Sequence, residues 1–243
     1  MLKQYYKQLL IFSAFLIIIL LLIIYNQYQE NKKYEEYLSN GLNDDIQTLN
    51  DAIVDNQNIY QQVSDSEHIT KQHLISLIKN NSIIKNLTQK YEYLALRLNR
   101  LESNKDYNET GKNAQTISSF FRVLAGKENF CLEPNNHFKQ SRKSEPIADY
   151  FTEVRRDICN LESDEKNDVL VNLDSDLKEK LGHIQELNSF WIEASKAYET
   201  TERADDTLSN DHWINLIVDL EKETKDYLYN KHKISNIELF LKK

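Results

Sequence analysis

Glycine and proline are nearly missing from this chain: four and two among 243 residues. Average usage over that length would give roughly 30 of the two together. Tight hairpins and most turns depend on them. Phosphate-cradling loops need several glycines close together. A Rossmann unit, a P-loop, a β-sandwich and a TIM barrel are therefore not expected, and the chain reads as almost entirely helical. Basic charge is also short: 30 Lys and Arg stand against 38 Asp and Glu, a net of −8. Such a chain has no extended basic surface to neutralise phosphates, so nucleic acid is not an expected partner.

Catalytic signatures are absent as well. There is no G-x-S-x-G nucleophile elbow. Neither H-E-x-x-H nor E-x-x-H occurs; Asp65-x-x-His68 only approximates the latter. Glu179 and His183 lie four apart on one helix face, a spacing more typical of surface electrostatics. Cys131 and His137 would make two ligands, too few for a site. The sequence predicts no catalytic residue, no cofactor and no metal, and hence no enzyme.

What is present begins with a long apolar run. Residues 9–25 read LLIFSAFLIIILLLIIY without a charge. Seventeen helical residues span about 25 Å, slightly less than a bilayer's hydrocarbon core. Tyr5 and Tyr6 before the run and Tyr25 and Tyr28 at its end match interfacial aromatic belts. Lys7 is placed to snorkel to the headgroups. A cleaved signal peptide shares the basic start, but its apolar core is shorter, and bulky residues follow here where a peptidase needs small ones. The reading is an uncleaved signal anchor in the lipid bilayer. Lys3, Lys7 and the amino terminus slightly outweigh Lys32 and Lys33, so the positive-inside rule leaves residues 1–8 in the cytoplasm. The rest is expected outside, in a single-pass protein of the cell membrane.

Beyond the anchor the expected order is a juxtamembrane linker over 26–41, a helical extracytoplasmic domain over 42–232, and a tail over 233–243. Ser39-Asn40-Gly41 marks a hinge, since glycine costs a helix interior about 1 kcal/mol. Leu42, Ile46, Leu49, Ile53, Tyr60 and Val63 form one helical stripe. Ser64-Asp65-Ser66-Glu67 fits a capping box that starts the next helix. Its stripe runs through Leu77, Asn80, Ile84, Leu87, Tyr91, Leu94, Leu98 and Leu101 in heptad register. Residues 103–113 read as a polar loop, and a short helix carrying Ile117, Phe120, Phe121 and Leu124 follows. Pro146 opens another helix. Leu170, Leu177, Ile184, Trp191 and Tyr198 recur every seven residues, with Leu173, Leu187 and Ala194 between them. A last helix bears Trp213, Leu216, Ile217, Leu220, Tyr227 and Leu228. The fold class is all-α: one transmembrane helix, then an up-and-down bundle with long coiled-coil-like helices.

Cys131 and Cys159, the only cysteines, are an even pair in an exported domain and predict one disulfide. Trp191, Trp213 and Tyr198 are most simply core aromatics; their alternative use is as a partner or ligand surface between helices. Charge divides unevenly along the chain. Residues 71–143 hold 13 Lys and Arg with 6 Asp and Glu, whereas residues 157–226 hold 7 and 19. Opposed helix faces account for this, or an acidic face for a basic partner. The expected function is a membrane-tethered, non-enzymatic scaffold that binds protein partners or itself through its helices. The alternative is a sensor-like bundle that binds a small ligand and signals through another membrane protein.

Overall fold

The apolar run and the first amphipathic stripe lie on one helix, α1 (Leu2–Ser66). The computed structural model describes residues 2–102, 104–127, 169–198 and 207–242. The chain divides into two units, Met1–Asp44 with Glu202–Asp211, and Asp45–Thr201 with His212–Lys243.

In the first unit, α1 is bare where it is most apolar. Every large side chain from Phe15 to Tyr25 is exposed, Ile19 least at 42 %. By length and composition this segment is a candidate membrane span. Further along, the Ser39 hydroxyl is buried and accepts the Leu208 N–H at 3.0 Å, while Ser209 bonds the Glu35 carboxylate. The hinge expected at Ser39-Asn40-Gly41 is not there: α1 passes through it unbroken, and a Cβ at Gly41 would meet nothing within 4 Å. One glycine's cost of about 1 kcal/mol is small against a helix of this length.

The second unit is an all-α bundle with one small ribbon. On α1, Ile46, Leu49, Ile53, Asn56, Tyr60 and Val63 are buried at alternating spacings of three and four, the stripe the sequence predicts with Asn56 filling its gap. The capping box expected at Ser64–Glu67 is instead the end of α1. Glu67 takes φ 58°, a left-handed conformation that stops the helix. Strand β1 (His68–Thr70) follows and pairs antiparallel with β2 (Val169–Asn172), Ile69 opposite Val171. Leu170 and Leu173, expected on a long helix, belong to this ribbon and its exit. The β-branched Ile69, Val169 and Val171 favour the extended pairing over the heptad continuation.

Each strand leads into or out of a helix with its own cap. Helix α2 (Lys71–Arg97) starts at Thr70, whose hydroxyl accepts the His73 N–H at 3.1 Å. His73 Nδ1 accepts the Thr70 N–H in return, standing where a capping box normally has Glu. Burial, and then the charge of His68, lower the His73 pKa, which favours the neutral ring that this acceptor role requires. Helix α4 (Ser175–Lys196) starts at Asp174, whose carboxylate accepts the Leu177 N–H at 2.8 Å. Between them lies α3 (Glu109–Lys127), which begins inside the expected polar loop. Helix α5 (His212–Lys225) runs into a π-helical segment (Asp226–Lys231), and α6 (Glu238–Leu241) ends the described chain.

Helix α2 packs on α3 and α5, α4 packs on α5, and α6 closes against α3 and α4. The α2 stripe holds through Tyr91, but the helix ends at Arg97, so Leu98 is exposed and Ala95 takes the last core place. Gly111 lets α3 approach α2 closely. A Cβ there would meet Asn108 Oδ1 at 2.9 Å and Gln89 Cγ at 3.0 Å. Residues expected as a loose tail are core: Ile237 is fully buried, and its N–H is held by Asn113 Oδ1 at 2.9 Å. Cys131, Cys159 and the helix expected from Pro146 lie outside the described residues.

Candidate functional site

Trp191, Trp213 and Tyr198 do not form a surface. Trp191 is 0 % and Trp213 1 % exposed, and Tyr198 is buried with its hydroxyl on the Asp219 carboxylate. The heptad positions of Trp191 and Tyr198 and the apolar face of α5 that carries Trp213 point into the bundle interior, where a buried aromatic ring gains most. Trp213 packs edge-on against Tyr91 at 5.8 Å. The Trp191 indole N–H donates to Thr224 Oγ1 at 2.8 Å.

Thr224 is the hub of a buried polar network. Its hydroxyl donates to the Leu220 carbonyl at 2.7 Å, as a helix-interior threonine does. One proton is thereby used, so the Thr110 hydroxyl, 2.8 Å away, is the donor between the two threonines. Beside them the Glu221 carboxylate, 3 % exposed, accepts the N–H groups of Glu109 and Thr110, each at 3.1 Å. These are unsatisfied donors of the first turn of α3, where the helix dipole favours an anion. Lys225 Nζ lies 3.0 Å from the same carboxylate. A buried carboxylate is tolerable only with this much compensation. The network ties α3, α4 and α5 together, and the carboxylate occupies its own anion site.

A second cluster sits at the other side of α4. His183 and Glu186 lie three apart on one helical face. The π-helical segment from α5 delivers His232 to them; its N–H bonds the Tyr227 carbonyl five residues back. Glu186 Oε2 and His232 Nε2 are 3.0 Å apart, and Lys231 pairs with Glu186 Oε1. Burial alone pushes the Glu186 carboxyl up, but hydrogen bonds and charge from Lys231 and His232 outweigh it and hold it below the ordinary glutamate value. One donor atom from each of His183, Glu186 and His232 lies within 4.8 Å of the others. All three residues are half-buried.

Aromatic neighbours fix the two imidazoles. The His183 ring stacks on Phe240 of α6, centroids 3.7 Å apart and planes 4° from parallel. His232 stands perpendicular to both, 5.5 Å from His183 and 5.2 Å from Phe240. The Tyr227 hydroxyl donates to the His183 carbonyl at 2.9 Å. Neither ring can turn far without losing these contacts.

A groove of about 560 Å³ runs between α3 and α6, lined by Phe120, Val123 and Leu241 with Lys112, Glu238 and Lys242. It contains none of Trp191, Trp213 and Tyr198. No family model, curated protein or solved structure matches the chain. The site must therefore be read from its own chemistry.

The sequence reading paired His183 with Glu179 and passed over Glu186, three residues further on. The deciding partner, His232, is 46 residues beyond Glu186. Its placement depends on the π-helical segment, which has no clear sequence signal.

Proposed function

We propose that the chain is a membrane-tethered, non-enzymatic scaffold. Residues 9–25 anchor it in the bilayer, the short N-terminal stub lies in the cytoplasm, and the helical bundle acts outside by binding protein partners. One observation supports this above the rest. The apolar stretch of α1 is a helix whose most apolar window has no residue buried. A core helix of a soluble domain would cover such a face, because a bare apolar stripe of this size is unstable in water. Lipid is the cover that fits both its length and its tyrosine borders.

The fold also favours binding over chemistry. The most buried ionisable network, around Glu221, has its hydrogen-bonding capacity consumed by helix ends and neighbours. That is the signature of a structural staple, whereas a reactive group keeps a position open for substrate. A small-ligand sensor is the second reading, favoured by the groove between α3 and α6, whose size falls in the range of ligand pockets.

Crosslinking of the full chain in native membranes tests the scaffold. A discrete crosslinked species containing a second protein or a second copy is the expected result. A chain that stays monomeric and partner-free, and whose melting temperature rises with a small molecule, would replace the scaffold with the sensor. Loss of that rise in Phe120→Ala would place the ligand in the groove.

A further inference from the structure

We propose that His183, Glu186 and His232 form a binding site for a divalent transition-metal ion of the zinc class. Two imidazoles and a carboxylate are a donor set that zinc uses when one coordination position stays open. Imidazole suits zinc, copper and nickel far better than magnesium or calcium, which prefer all-oxygen shells.

The geometry needs little adjustment. Tetrahedral bonds of about 2.0–2.1 Å put donor atoms roughly 3.3–3.5 Å apart. Glu186 Oε2 and His232 Nε2 are already 3.0 Å apart, and no pair among the three donors exceeds 4.8 Å. The remaining convergence is about an ångström between the most distant donors.

Three features around the donors resemble the supporting shell that metal sites require. Lys231 holds the second oxygen of Glu186 and leaves Oε2 for the ion. Phe240 fixes the plane of His183, and Tyr227 ties down its carbonyl. The third donor caps a π-helical segment, a rare arrangement found frequently at functional sites.

The test is titration of the detergent-solubilised full chain with Zn²⁺ by calorimetry, and with Co²⁺ by its visible absorption. Both are done with Cys131 and Cys159 replaced by serine to silence thiol binding. The expected result is one ion per chain and a four-coordinate Co²⁺ spectrum. Affinity drops at least tenfold in His183→Ala, His232→Ala and Glu186→Gln, and stays unchanged in His68→Ala. Glu186→Gln keeps the shape of the side chain, so it tests the site even if a histidine variant fails to fold. Absence of one-to-one binding, or an affinity that Glu186→Gln leaves intact, would overturn the proposal.

Discussion

Glu92 is a carboxyl group whose ionisation the fold opposes. Burial, then the carboxylates of Asp106 and Glu221, raise its pKa, against weaker help from Lys112 and the Tyr107 N–H. The folded state therefore holds this proton more tightly than the unfolded chain. Stability is fully present below the ordinary glutamate value and is lost as pH rises through the raised one. Glu92→Gln is expected to raise the melting temperature at pH 7 and to lose that advantage near about pH 4. Thermal unfolding at both values checks the sign. Thr224 makes the opposite case, a polar group the core cannot lose. Thr224→Val removes the hydroxyl that accepts from the Trp191 N–H and the Thr110 hydroxyl, leaves the indole N–H without that acceptor, and should cost about 1–3 kcal/mol in urea unfolding. Thr224→Ser keeps both bonds and should cost clearly less. Gly111→Ala should also destabilise, since its new methyl meets the Asn108 amide at 2.9 Å, whereas Gly41→Ala, with open space around it, should not.

At the scale of elements, helix periodicity was legible and helix ends were not. The stripe of α1, that of α2 as far as Tyr91, and the heptad residues from Leu177 onward are buried as their spacing requires. The ends failed where a few residues carry two local options. Ser64–Glu67 has the composition of a helix start, yet Glu67 in a left-handed conformation makes it a helix stop. Thr70 caps the next helix with a histidine as its partner, a substitution no capping pattern anticipates. Leu170 fits the heptad and also fits a strand, and pairing with His68–Thr70 decided between them. Long-range pairing of that kind is invisible to periodicity. Asn56 is the element-scale oddity. It occupies a core position of α1 at 0 % exposure, and neither amide atom has a partner among the described residues. Asn56→Leu should therefore stabilise the bundle, measured as a higher urea midpoint with an unchanged slope.

At the scale of the whole molecule, a candidate membrane span is read from composition, whereas one side-chain cluster exists only in the fold. The candidate span is legible because an uncharged, mostly apolar run of seventeen residues has few other uses. The His183–Glu186–His232 cluster is not, because its third member comes from a distant segment with unusual backbone geometry. The central claim is a bundle tethered outside the cytoplasm, and labelling with a membrane-impermeant maleimide in intact cells tests it directly. The account predicts that Cys131 and Cys159 both react in unbroken cells, and only after reduction. If the thiols react without reduction and only once the membrane is broken, the domain is cytoplasmic, the disulfide does not form, and the exported scaffold is contradicted.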